Sequence, residues 1–549
     1  MRFTTIWQTV SFVVGHLGVG FAVLGQTPVS SISTNALGVP PPDQRPLRPL
    51  SLEECIRLAL QHNFTLQIQR WNPIRFQYQV AGSYGYYDPV ISVDATETEA
   101  TTSGYYDPAI GELPSATART RRLNSQLSGT LPSGLRYDIA TTTRHQSGDA
   151  STVYAGIPLL RPFETYEAST RLTLTQPLLK NFWTDSGRTA IQVAKKDLKI
   201  SELEFENQVR LVIRDVIRNY YELIYARELV KVQEKALELA QALLAQNREK
   251  VRVGVLAPLD EKQAEAQAAT SLADLLAARR QVAFQENLLK NLITDHYESW
   301  YGQGIEPTDS LVAVPQVFDL RESWVEAVTK RPDLRMVRAE LEKQGLIVRL
   351  NFNQLFPSLD IVGSYGISGV DTLSISRNPV HDPATSRLVG YARLYEPSLG
   401  GAWDGILNQN NPRHSIGAVL SFPLSLRAER NRYQQAKATL KQIELQVRQL
   451  EQSVRVEVDD AISQAESALQ RVSATREARL YAEAALDAEQ KKLDAGKSTS
   501  FEVLRLQRDL TAARSAEIRA LADYNQALVN LYAAEGTLLE RRRISIEFK

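Results

Sequence analysis

Three residues near the end of the chain, Gly496-Lys497-Ser498, match the close of a phosphate-binding loop. Such a loop needs a further glycine five positions earlier, so that successive backbone N–H groups converge on phosphate, and Lys491 stands there instead. The stretch also lies between two helical patterns rather than between a strand and a helix, which argues against nucleotide chemistry. The histidines (His16, His62, His145, His296, His381, His414) are scattered, with no pair at metal-ligand spacing. The lone cysteine, Cys55, reads as a small buried residue on an amphipathic helix. No set of residues combines a nucleophile, a base and an orienting group, so the sequence points to no enzyme and to no cofactor. Two acids remain in equivalent places: Asp260 and Glu502 each lie six residues past a glycine, Gly254 and Gly496. Acids in the first turn of a helix suit its positive end, and Thr499-x-x-Glu502 has the form of a capping box.

The elements that must position these acids are unusual. Between Gly187 and Gly254, and again between Pro423 and Gly496, there is neither glycine nor proline. Runs of 66 and 72 residues at about 1.5 Å rise give helices of roughly 100 Å, far beyond the usual three or four turns. Each is followed by a shorter run, Leu259–Tyr301 and Lys497–Glu535. Apolar residues recur at three- and four-residue steps: Val209, Ile213, Val216, Tyr220 and Leu223 in the first, Ile443, Val447, Leu450, Val454, Val458 and Ile462 in the second. Such stripes belong to helices packed lengthwise. Each glycine then ends a long helix in the left-handed conformation, with Pro258 at the first position of one return helix and Thr499 at the N-cap of the other.

The upstream parts repeat too. "SLEECIRLALQHNFTL" (51–66) aligns with "DLRESWVEAVTKRPDL" (319–334) at a constant offset of 268, which also carries Pro89, Ile91 and Val93 onto Pro357, Leu359 and Ile361. The offset falls to 246 at Pro177 and Pro423 and to 242 at the two glycines. Each half therefore reads helix, strand, strand, long helix, tight break, shorter helix, a duplicated structural unit. The expected divisions are 51–310 (strands about 88–177, helices about 183–301) and 311–540 (strands about 357–423, helices about 424–535), with a basic tail at 541–549. Before them, Arg2 precedes an apolar stretch from Ile6 to Leu24, the layout of a signal peptide over 1–25, followed by a flexible Pro-rich linker over 26–50. A retained membrane anchor is the alternative reading of that stretch. No other segment has some eighteen consecutive apolar residues, which excludes a helical membrane protein.

Between the helices the period changes from 3.6 to 2. In "PVISVDA" Ile91, Val93 and Ala95 oppose Ser92 and Asp94; in "RLTLTQ" Leu172 and Leu174 oppose Arg171, Thr173 and Thr175. "PSLDIVGSY" and "SIGAVLSFP" alternate likewise. One apolar and one polar face suit a soluble sandwich, or a membrane barrel with lipid outside and water inside. Strands that feed directly into helices of roughly 100 Å favour the second. Unpaired strand edges in lipid cost several kcal/mol per group, and closed barrels begin near eight strands. Four strands must therefore close between copies of the chain. "RLNSQLSGTLPSGLRYDIATTTRH" (122–145) alternates around Pro132-Ser133-Gly134 and either lengthens the first hairpin or adds a pair of strands.

In the order of these marks the chain resembles a TolC-type outer membrane channel of Gram-negative bacteria. They are the two helix starts, "KRPDL" (330–334), "LFPSLDIVGSYG" (355–366), "TQPLL" (175–179), "SFPLS" (421–425) and the two Gly-centred breaks. The resemblance covers Ser51 to about Glu540 and implies an α+β, mostly α, fold. It implies a homotrimer whose β-barrel sits in outer membrane lipid and continues into a long periplasmic α-helical barrel, with two strands and two long helices from each half. It further implies a passive conduit that works with a periplasmic adaptor (membrane fusion) protein and an inner-membrane transporter. By the same resemblance the turns Val253, Gly254, Val255, Leu256, Ala257 and Ala495, Gly496, Lys497, Ser498, Thr499 dock the adaptor, and Asp260 and Glu502 line the periplasmic aperture. The family often has another acid nine residues past the second glycine; Arg505 stands here, close enough to pair with Glu502 and weaken an acidic ring. Arg505 and Lys497 are candidate locks of the closed state. Small-molecule export is the leading reading, beside a duct for type I protein secretion and, from another class, a secreted coiled-coil scaffold without a pore. Lys plus Arg equals Asp plus Glu, 63 each, so charge gives no sign of nucleic acid as a partner.

Overall fold

The structure, a computed structural model, describes residues 45–546. The expected signal peptide (1–25), most of the linker and the last three residues of the basic tail lie outside the described residues. A short strand β1 (Leu47–Leu50) precedes helices α1 (Leu52–His62) and α2 (Phe64–Ser83). Four long strands follow, β2 (Val90–Thr102), β3 (Ala116–Thr130), β4 (Arg136–Tyr154) and β5 (Ile157–Pro177), and then a helical hairpin, α3 (Ser186–Arg252) and α4 (Pro258–Ile293). After β6 (Gly304–Pro307) come α5 (Leu320–Lys330), α6 (Pro332–Asn353), β7 (Ser358–Thr372), a short helix α7 (Leu399–Leu407) and β8 (Pro412–Ser421). The second hairpin is α8 (Arg427–Asp494) and α9 (Ser500–Glu535).

Local chemistry sets the helix ends. Ser51 and Glu54 cap α1 reciprocally, Asn63 and Asp185 accept from the first turns of α2 and α3, and Pro258 and Pro332 open α4 and α6. Gly254 and Gly496 follow the long helices with φ of 75° and 67°. A Cβ at either glycine would meet nothing within 4 Å, so backbone conformation and not packing requires glycine there. The bond from Val255 N to Lys250 O (2.8 Å) and that from Lys497 N to Lys492 O (2.8 Å) complete the two matching turns.

The largest core lies where α1, α3, α4 and α9 meet, and it includes Cys55, Ala59, Ile213, Val216, Leu223, Leu289 and Val529. Tyr220 is buried within it and donates to Asp309 Oδ2 at 2.6 Å. Beside it two buried arginines converge on the carboxyl end of α9: Arg210 donates to Ala533 O at 2.7 Å and Arg331 to Ala534 O at 3.3 Å. Cations on terminal carbonyls complement the helix dipole. Arg331 also pairs with Asp333 (2.7 Å) and Glu457 (2.6 Å), so the "KRPDL" segment ties the start of α6 to α8.

The six long strands form one antiparallel sheet in the order β8-β7-β5-β4-β3-β2. Residues 122–145 thus add a pair of strands. Leu131 N donates to Leu135 O at 2.8 Å, and Gly134, with φ of 84°, turns β3 into β4. Every residue of the two edge strands, β2 and β8, is exposed. Among the described residues no helix is long and apolar enough to cross a membrane.

Candidate functional site

Strand register decides what each face of the sheet presents. Ile91, Leu127, Ile139, Leu172 and Tyr365 are successive cross-strand partners and therefore share a face. Val93, Leu123, Leu174, Ile361, Ile416 and Leu420 fall on that same face, and all six are exposed in the single chain. Exposed large apolar residues therefore stand on all six strands of this face, interrupted by the hydroxyl row of Ser125, Thr141 and Thr170 and by His414, and a patch of that kind marks an interaction or membrane surface.

The opposite face is polar and internally bonded. Asn124 donates to Asp94 (3.1 Å) and accepts from Thr142 (2.9 Å). Gln126 contacts Asp138, and the Ser364 and Ser415 hydroxyls lie 2.8 Å apart. Arg171 and Thr173 lie on this face, one residue to either side of Leu172. Such a surface can carry water and solutes but holds no catalytic constellation.

The apolar face ends in a charged row far from the helices. Glu97, Arg121, His145, Tyr166 and Asp371 are consecutive cross-strand partners. Arg121 pairs with Glu97 at 3.3 Å, and the His145 ring stacks on Tyr166 with centroids 4.2 Å apart.

At the other end of the long helices are the two turns. Val253 and Val255 are exposed, as is Leu259 just beyond them; Ala495, Gly496, Lys497 and Thr499 are exposed on the second turn, and Leu256 and Ser498 are half-buried. Lys497 and Ser498 sit between two helices, with no strand before them. Ser498 donates to Glu489 at 2.5 Å. This hydroxyl, with Lys492, holds the Glu489 carboxyl below its ordinary range.

Asp260 and Glu502 occupy the same helical position but behave differently. Asp260 turns back and accepts from Ala257 N at 3.3 Å. Thr499 accepts from Glu502 N at 3.4 Å, yet the Glu502 carboxylate pairs with Arg505 at 2.8 Å instead of returning to the N-cap amide. The expected capping box is therefore half made, because the nearby guanidinium competes for the acid.

One buried polar contact was not expected from the sequence. Asn247, fully buried on α3, donates to Asp260 O at 3.3 Å and accepts from Ser500 of α9 at 3.1 Å. It joins the two hairpins at their tips, above an apolar cluster of Leu243, Leu486, Val503, Leu504 and Leu510. Its signal is an asparagine in line with the buried Leu237, Ala240 and Leu243, a polar interruption of an apolar stripe.

A profile of the family described as outer membrane efflux protein matches residues 139–294 and 324–537. The outer membrane efflux protein BepC of Brucella suis is 23% identical over 368 residues, covering 67% of this chain and 72% of that protein. The Campylobacter jejuni CmeC outer membrane channel superposes with a TM-score of 0.59 at 16% identity, over 89% of this chain and 86% of that one. The open state of the Neisseria gonorrhoeae MtrE outer membrane channel gives 0.57 at 16% identity over 89% of both chains. At these identities the structural likeness is one of fold.

Proposed function

Because the chain belongs to the outer membrane efflux protein family, a family of channels and not of enzymes, we propose that three copies form a passive duct across the outer membrane. The observation that carries this reading is the open six-stranded sheet, whose apolar-rich face is exposed outside the patch that α7 covers. In hydrocarbon its unpaired edges would cost several kcal/mol per group, and six strands are too few to close alone. β2 runs away from the helices and β8 runs back toward them, so the β2 edge of one copy meets the β8 edge of the next antiparallel. Three copies then close eighteen strands, four from the first half of each chain and two from the second. Barrels of that size leave an aqueous bore. The polar faces line it, and the long helices continue the path through the periplasm.

The duct receives its cargo, small molecules in this reading, from an inner-membrane transporter through a periplasmic adaptor. The exposed Val253 and Val255 and the second turn, Ala495–Thr499, dock that adaptor. Asp260 and Glu502 face the periplasmic aperture, where Arg505 offsets the charge of Glu502 and leaves Asp260 the stronger anion. Planar-bilayer recording of protein extracted from outer membranes tests the reading. Stepwise ion currents are expected, and protein that inserts without current, or needs no detergent to stay dissolved, rejects it.

A further inference from the structure

The connection from β7 to β8 contains α7, a nine-residue helix with the sequence LGGAWDGIL. Its small residues touch the sheet: Ala402 and Gly405 are buried against Gly369 of β7. A Cβ at Gly369 would lie 2.9 Å from Gly405 Cα, and one at Gly405 would lie 2.6 Å from Gly369 Cα. Helix backbone therefore rests directly on strand backbone. Ala168 of β5, the cross-strand partner of Gly369, is buried beneath.

The large side chains are turned outward to different degrees, beside the exposed Asp404. Leu399 is 44% and Leu407 75% exposed, and Trp403 and Ile406 are half-exposed. A helix on a water-soluble surface turns its bulky apolar face inward. Small residues toward protein and bulky ones outward is the packing of a helix in hydrocarbon.

Register fixes where this happens. Ala168 and Gly369 lie on the same face as Leu172 and Tyr365, the apolar one. The next row on that face is the charged one that ends in Asp371. Asp371 Oδ2 accepts from Ser398 N at 3.0 Å and from the Tyr395 hydroxyl at 2.8 Å, which ties the start of α7 to that row. The helix sits at the seam between apolar and charged surface, where membrane proteins place tryptophan.

We propose that α7 is a lipid-contacting helix on the outside of the barrel, with Leu399, Trp403, Ile406 and Leu407 among the acyl chains of the outer leaflet. This rests on the channel reading above. A second copy of the chain is not the occupant, because α7 packs on β7 and β5 while copies join at β8 and β2.

The test places a nitroxide on single cysteines in the full chain, reconstituted in lipid vesicles: Leu407→Cys, Leu172→Cys and, as the water-facing reference, Val389→Cys, an exposed residue of the connection between β7 and α7. The native Cys55 is buried, and burial, with Glu54 and Asp309 nearby, pushes its thiol up to about 12, so labelling falls on the new cysteine. Collision rates with oxygen, which concentrates in lipid, and with a nickel chelate, which stays in water, give each site's surroundings. Leu407→Cys and Leu172→Cys are expected to show a several-fold higher oxygen-to-nickel ratio than Val389→Cys. A lipid value at Leu172 with a water value at Leu407, or with no collisions there, overturns the α7 proposal alone. A water value at Leu172 overturns the channel reading and the α7 proposal with it.

Discussion

The sheet and the helical tips lie at opposite ends of hairpins about 100 Å long, and they hold their chemistry in different ways. On the sheet one property, one face rich in apolar residues and the other polar, is repeated over six strands, so no single side chain defines it. At the tips a few individual contacts do the work: Asn247 with Ser500, Glu502 with Arg505, Ser498 with Glu489. The first arrangement is broken by a change of kind at almost any position. The second is tuned by single substitutions that leave the fold alone.

The sharpest contrast comes from two neighbours on β5. Arginine at the middle of a lipid-facing strand costs about 2–4 kcal/mol. Leu172→Arg, repeated in every copy, should remove heat-modifiable oligomer from outer-membrane fractions, while Thr173→Arg, on the polar face, should assemble at the normal level. Equal yields from the two would erase the distinction between the faces.

At the tips the largest effect belongs to Asn247. Asn247→Leu leaves the Ser500 hydroxyl buried without its partner, at a cost of about 1–3 kcal/mol. Oligomer yield should not change, but the hairpins should part more easily and the open fraction in bilayer recordings should rise. An unchanged open fraction would reduce Asn247 to a packing residue. A smaller change is expected from Asp260→Ala combined with Glu502→Ala: higher conductance and weaker cation preference, most of it from Asp260, because Arg505 already offsets Glu502. Unaltered reversal potentials would remove both acids from the aperture.

The smallest effect concerns pH. The Ser498 hydroxyl and Lys492 depress the Glu489 carboxyl, so their contact stabilises the turn above the unfolded value and is lost as pH falls through the lower folded one. Hydrogen exchange over residues 489–500 should therefore quicken, relative to Ser498→Ala, only below about pH 4.3. The same pH response in both proteins would show that Ser498 contributes nothing.

The same contrast explains what could be read in advance. Alternation in "RLTLTQ" and "PSLDIVGSY" was legible because repetition announces a two-faced strand. The long helices were legible from the absence of glycine and proline, and Gly254 and Gly496 from the positive φ that a helix reversal demands. Strand number was not, because alternation over residues 122–145 fits a longer hairpin as well as an added pair, and only pairing across the sheet decides. Asn247 escaped because its partner is 253 residues away, although its place in an apolar stripe marked it. The α7 helix is too short and glycine-rich to show a period.

In the proposed duct the sheet closes only between copies of the chain. Cryo-electron microscopy of the protein in lipid nanodiscs, with strands counted around the axis, tests it most directly. Three copies and eighteen strands are predicted, with β2 of each copy hydrogen-bonded to β8 of the next. A single copy, or a ring in which either of those edges stays unpaired, would contradict it.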